Sequence, residues 1–144
     1  MVRRCPGARL LGRASLPNHR VALLADGFAT VHRDPGATAF GVLWELSFAD
    51  MVALDRYEGV AQGAYRKFVQ PVRREGASPV RALVYIGVPG KSLGRAPPDY
   101  MGKIVQAARA AGLCGEHVDF LRRLAGEEVT EEKKFRAIKT LVSL

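Results

Sequence analysis

The chain has little with which to hold a metal or staple a small fold. Its two cysteines, Cys5 and Cys114, sit far apart, and neither belongs to a CxxC or Cys/His spacing. That argues against a zinc site and against a disulfide framework, and points to two reduced thiols. His19, His32 and His117 are scattered, with no HxH or HExxH pair to set two imidazoles on one ion, so no metal site is expected. Long apolar runs are missing as well. Uncharged stretches such as Ala82 to Gly90 fall far short of the roughly 20 apolar residues that a membrane span requires. The start, Met1-Val2-Arg3-Arg4-Cys5-Pro6, is basic but has no apolar core ahead of a small-residue cleavage site. It does not read as a secretory signal, and a cytoplasmic location is expected. Repeats, low-complexity tracts, and Rossmann or P-loop fingerprints are likewise absent.

What is present suits one ordinary domain. The 144 residues are 48% hydrophobic and 25% charged, with 15 Gly and 8 Pro, enough to bury a core. The net charge is +8, and up to residue 33 Arg3, Arg4, Arg9, Arg13, Arg20 and Arg33 face Asp26 alone. These arginines are evenly spaced rather than clustered on one element, and Phe28 is their only aromatic neighbour. Phosphate tracking with base stacking needs the opposite arrangement, so no nucleic-acid partner is expected. A solvated basic surface that attracts acidic metabolites is the reading that remains.

Val21–Ala25 and Phe28–His32 are β-prone runs separated by Asp26-Gly27, a dipeptide suited to a tight hairpin. Asp34-Pro35-Gly36 reads as a turn before a strand in which Phe40, Val42, Trp44 and Leu46 share one face. Ser47 is placed to cap a helix starting at Phe48, with Asp50 in its first turn and Gly59 as its stop. Tyr65–Arg74 and Pro79–Val88 form a second hairpin around Glu75-Gly76. Two helices follow: one entered at Pro98 or Asp99 and ended by Gly112, the other over 116–125. The expected organisation is an α+β domain over 1–126 with a charged, helical tail over 127–144.

The segment from Leu54 to Tyr65, LDRYEGVAQGAY, carries the candidate chemistry. Met51, Leu54 and Glu58 recur at helical spacing, so a carboxylate would lie beside apolar neighbours if the helix persists to Glu58. Desolvation there would raise its pKa toward the range in which a base can also return its proton. An exposed helix-end glutamate fits the same spacing, and Asp55 with Arg56 reads as a solvated helix end.

That segment resembles the LD..EG....Y stretch of the γ-glutamylcyclotransferase-like family. The likeness extends from about Arg3 to Leu124. It takes in Arg4-Cys5-Pro6-Gly7-Ala8, Ala29-Thr30-Val31, Asp34-Pro35-Gly36, Phe40-Gly41-Val42-Leu43-Trp44, Ala82-Leu83-Val84-Tyr85 and Pro97-Pro98-Asp99-Tyr100. The resemblance implies a small mixed β-barrel flanked by helices, with a pocket at one end. It implies Glu58 as catalytic base, Tyr85 as a substrate contact, and Gly59, Tyr65 and Tyr100 around the pocket. The implied reaction is a cyclising lyase step that forms 5-oxoproline from γ-glutamyl amino acids or amines without a cofactor. The family's Y-G-S-N loop, whose backbone N–H groups hold the glutamyl moiety, has no counterpart in these residues. Two expectations follow: a relative that binds a small metabolite or partner without catalysis is the alternative to the enzyme, and an uncovered sheet edge would invite a homodimer.

Overall fold

Two hairpins and three helices make up the fold in the computed structural model, which describes Met1 and residues 3–91 and 94–129. The first hairpin joins β1, Arg9–Leu23, to β2, Ala29–Glu45. Its turn closes at Asp26-Gly27, as the dipeptide predicts. The Leu24 N–H donates to the Phe28 carbonyl at 2.8 Å, the Asp26 carboxylate accepts from the Phe28 N–H at 3.1 Å, and Gly27 takes φ 87°.

Both strands run further than their β-prone runs suggest. β1 starts at Arg9 because a bulge at Gly12, with φ 119°, absorbs the irregularity between Leu10 and Gly12. The Asp34-Pro35-Gly36 turn does not end a strand; it lies inside β2, opposite a register shift between Pro17 and His19. Asn18 supports it from a positive φ of 58°, its side-chain oxygen accepting from the Gly36 N–H at 3.3 Å.

Helix α1, Phe48–Tyr57, begins with the cap that the sequence signals. The Ser47 hydroxyl oxygen accepts from the Asp50 N–H at 3.1 Å, and the Asp50 carboxylate accepts from the Ser47 N–H and hydroxyl. Asp50 also receives the Gly7 N–H at 3.3 Å, while the Cys5 thiol sits fully buried against the Asp50 carbonyl. One side chain thus starts the helix and fastens the segment that carries Arg4. The Ser47 hydroxyl, with the backbone of Gly7 and Ser47, holds the Asp50 carboxyl below its ordinary value despite burial.

Strands β3, Tyr65–Arg74, and β4, Val80–Gly87, pair in register from Tyr65↔Gly87 to Val72↔Val80. Helices α2, Tyr100–Ala110, and α3, Gly115–Leu124, complete the order. The α+β class holds, but "mixed barrel" needs correction. All strand pairs are antiparallel, the sheet runs β2-β1-β3-β4, and it does not close. β1 and β3 share only two register pairs, Ala14↔Arg74 and Ser15↔Arg73. Between β2 and β4 a side chain replaces the backbone ladder: the Thr30 hydroxyl accepts from the Gly87 N–H at 2.8 Å.

Two apolar clusters hold these parts. Leu16, Ala39 and Val72 gather Val31, Leu43, Val80, Ala82 and Val84 within the sheet. Val105, Ala108, Val118 and Leu121 join α2 to α3, and α3 meets β2 where the His117 and Phe40 rings lie 5.4 Å between centroids and tilted by 60°. Among the described residues no helix is long and apolar enough to cross a membrane. The tail expected over 127–144 lies, from residue 130 onward, outside the described residues.

Leu121 is 3% exposed at the centre of the helical cluster. Leu121→Ala should lower unfolding free energy by about 2–5 kcal/mol in a urea titration, with the slope unchanged. Gly59, which follows α1, has φ 62°. Gly59→Ala should destabilise by about 1–2 kcal/mol, because a β-carbon is strained in that conformation.

Candidate functional site

How α1 ends decides where Glu58 goes. The Gly59 N–H donates to the Arg56 carbonyl at 3.2 Å, and the Val60 N–H donates to the Asp55 carbonyl at 3.0 Å. This double closure needs a left-handed residue after the cap, which Gly59 supplies. Glu58 is therefore the cap itself, still in helical conformation, with its N–H on the Leu54 carbonyl at 2.8 Å. The helical turn does persist to Glu58, and the carboxylate shares a face with buried Leu54 and half-buried Met51.

Glu58 lines a cavity of about 280 Å³ between the end of α1 and the start of β2. Tyr57, Tyr65, Tyr100 and Phe28 supply aromatic walls, while Arg4, Lys91 and Asp26 supply the other charges. Burial pushes the Glu58 carboxyl above its ordinary value, and the Arg4 positive charge opposes that rise. Arg4 is itself positioned by Tyr57: the guanidinium lies 3.5 Å over the ring centroid and also donates to the Tyr57 hydroxyl.

Two of the aromatic walls are fixed through the backbone of one residue, Ala29. The Tyr65 hydroxyl donates to the Ala29 carbonyl at 2.8 Å, and the Ala29 N–H donates to the Tyr100 hydroxyl oxygen at 3.2 Å. β2, β3 and α2 thereby converge on Ala29, and Phe28 meets Tyr100 edge to face at 5.1 Å. Burial raises both phenols above their ordinary value, so both stay neutral.

Tyr85 lies outside the lining of this cavity. Its hydroxyl donates to Asp55 at 2.7 Å, and Lys67, its register partner across the β3–β4 ladder, donates to the other Asp55 oxygen at 2.7 Å. The expectation that Asp55 is a solvated helix end is thus wrong. Asp55 is half-buried and clasps α1 to the second hairpin, three residues before Glu58. Lys67, then Tyr85, hold the Asp55 carboxyl below its ordinary value, while burial and the Asp55 charge raise the Tyr85 phenol. Arg56 is exposed, as read from sequence.

Of the residues singled out in sequence, Glu58, Tyr65 and Tyr100 meet in the cavity, Gly59 ends the helix beneath it, and Tyr85 stands behind it through Asp55. Sequence reasoning passed over Arg4, Asp26, Phe28 and Lys91, which lie on loops and turns far apart in the chain. No local periodicity marks them, although Arg4 and Asp26 do stand among the charges of the first 33 residues.

The comparisons with known proteins bear on the family and the fold. The model of the AIG2-like family matches residues 38–121, more than half of the chain. Human γ-glutamylcyclotransferase is 27% identical over 106 residues, spanning 72% of this chain and 55% of that protein. The mouse γ-glutamylcyclotransferase is 28% identical over 104 residues, spanning 71% and 54%. The chain thus matches little more than half the length of these curated relatives. A solved γ-glutamyl cyclotransferase superposes with TM-score 0.75 over 96% of this chain and 89% of that one, a likeness of fold at 22% identity. With the family pattern running from within β2 to α3 and the fold shared with the solved relative, the chain belongs to the AIG2-like, γ-glutamylcyclotransferase-like family.

Proposed function

We propose that this chain is a cyclising lyase that forms 5-oxoproline from γ-glutamyl amino acids or γ-glutamyl amines, with Glu58 as its acid–base residue. One observation carries the reading: a carboxyl raised by burial lies at a helix end inside an aromatic cavity. The cavity's charges support the substrate class. Arg4 and Lys91 complement an α-carboxylate, while Glu58 and Asp26 complement an α-amine, and a γ-glutamyl group carries both.

In this reaction Glu58 accepts a proton from the substrate's α-amine as the nitrogen attacks the γ-carbonyl carbon. The new C–N bond closes a five-membered lactam, the bond from that carbon to the departing amine breaks, and Glu58 returns the proton to the leaving nitrogen. Water and cofactors enter nowhere. Because amine and carbonyl belong to one molecule, holding the substrate folded contributes up to about 7–11 kcal/mol through proximity. The Asp55–Tyr85–Lys67 clasp fits a positioning role, keeping the end of α1 against the sheet. The unpaired thiols Cys5 and Cys114 suit a reducing, cytoplasmic compartment.

The test is 5-oxoproline release from a panel of γ-glutamyl amino acids and amines. Glu58→Gln should lower kcat/KM by about 10²–10⁴-fold while keeping the side chain's shape. The acidic limb of the kcat/KM profile should lie above the ordinary glutamate value, because Glu58 must lose its proton to act and burial holds that proton on. A silent native chain that still bound γ-glutamyl ligands would favour the non-catalytic relative.

The same burial predicts a change in stability with the opposite sign to its use. The folded state holds the Glu58 proton to higher pH than the unfolded chain does, so this group destabilises the fold progressively as pH rises through the raised value. Glu58→Gln should therefore melt at a higher temperature than the parent near neutrality. The difference should narrow toward about pH 4, where the carboxyl is largely protonated in both states.

A further inference from the structure

Arginines in this fold differ in how much of their hydrogen-bonding fork is already engaged. Arg13 is committed: it donates through two nitrogens to the Glu75 carboxylate and through a third to the Gly112 carbonyl. Arg4 gives one N–H to the Tyr57 hydroxyl and lies over that ring, and among the described residues it pairs with no carboxylate. Its guanidinium is held at the wall of the cavity that Glu58 lines, with most of its donors free. The segment that brings it there is anchored. Cys5, the next residue, is fully buried against the Asp50 carbonyl, and the Asp50 carboxylate accepts from the Gly7 N–H. A β-carbon at position 7 would lie 2.7 Å from Asp50 Oδ2, so glycine is what lets the segment close on the helix.

Arg4 and Glu58 line one cavity, yet among the described residues no ion pair joins them. The Arg4 charge still reaches Glu58, drawing its carboxyl toward the charged form against burial. Opposite charges held close but unpaired suit a ligand group that carries the complementary charges at the same close spacing. In a γ-glutamyl group the α-amine and the α-carboxylate sit on one carbon. The cation that flanks the base is therefore the one placed to take the carboxylate while the base takes the amine's proton. Lys91, from the loop after β4, lines the cavity but is not among the charges that act on Glu58.

We propose that Arg4 is the specificity-determining residue of this site: it anchors the α-carboxylate of the γ-glutamyl group, turns the α-amine toward Glu58, and so makes that carboxylate a requirement for turnover. The guanidinium fork matches a carboxylate with two parallel hydrogen bonds, which orients the α-carbon as well as binding it. The substrate class in this inference rests on the lyase reading.

Two compounds isolate the carboxylate. L-γ-glutamyl-L-alanine and 4-aminobutanoyl-L-alanine differ by that group alone. In both, the amine nitrogen attacks the carbonyl carbon to close a five-membered lactam, the C–N bond to alanine breaks, and alanine leaves with the proton, so alanine release reads both reactions. The parent should favour the γ-glutamyl compound by about 10–100-fold in kcat/KM, and Arg4→Met should bring the two within about threefold. Arg4→Lys should keep part of the preference, because the charge remains and the fork is lost. Any effect of the missing charge on Glu58 itself falls on both compounds alike, so the ratio reports the anchor. Arg33→Met, outside the cavity, should keep the parental ratio.

Binding separates the anchor from the reaction. Calorimetric titration of the Glu58→Gln chain with each compound should show the same preference, lost when Arg4→Met is added. If the native chain releases no alanine but this Arg4-dependent preference persists in binding, the lyase reading fails and the anchor stands. If alanine is released but the parent does not discriminate, or Arg4→Met and Arg4→Lys slow both compounds alike, or Lys91→Met abolishes the preference while Arg4→Met does not, the anchor is overturned and the lyase stands. Binding of neither compound up to about 10 mM overturns both.

Discussion

Two backbone hydrogen bonds, from Gly59 to Arg56 and from Val60 to Asp55, stop α1 at Glu58, whose carboxylate lines the aromatic cavity. A helix that ran a turn further would bury that carboxylate elsewhere, and one that ended earlier would leave it in solvent. The left-handed conformation that this stop requires is available to glycine at no steric penalty, which gives the Glu-Gly pair its physical meaning. Everything else around the cavity adapts to that point. Asp50, eight residues before Glu58, completes the cap at the start of the same helix and fastens the segment that brings Arg4 over Tyr57. Asp55 then holds the helix to Lys67 and Tyr85.

The arrangement balances two demands on one carboxyl group. Burial among tyrosines and Phe28 favours its neutral form, while Arg4 favours its charged form, and burial dominates. The aromatic walls supply low polarity and are kept from collapsing by their own hydrogen bonds to Ala29. The charged residues at the cavity come from four separate segments, so the pocket's polarity depends on tertiary packing rather than on any one element.

Signals that act within a few residues were legible in the sequence. The Ser47–Asp50 cap, the Asp26-Gly27 hairpin, the β3–β4 pair and the glycine after Glu58 all stand where propensity and turn chemistry put them. What sequence misplaced depends on distant partners. Asp34-Pro35-Gly36 has the chemistry of a chain reversal, yet Asn18 across the ladder accommodates it as a bulge in a continuing strand. The early part of β1 lacks clean alternation because Gly12 shifts its register. Asp55 reads as solvated until Lys67 and Tyr85, neighbours only across a ladder, are brought against it. The barrel implied by resemblance stays open because the β2–β4 join is a threonine hydroxyl rather than a row of backbone bonds.

The forked contacts of Arg13 bear on the order in which the chain assembles. β1 and β2 are paired from Leu23↔Ala29 outward to Arg9↔Glu45, so each new pair extends a loop that its predecessor has almost closed. Arg13 reaches instead to Glu75, 62 residues away, and to Gly112, 99 residues away. Loop closure of that span carries an entropy that earlier contacts must already have reduced. Local pairing therefore favours early formation of the first hairpin, and the arginine that joins both hairpins to the α2–α3 turn belongs to the last stage of folding, when three separately formed parts lock into one.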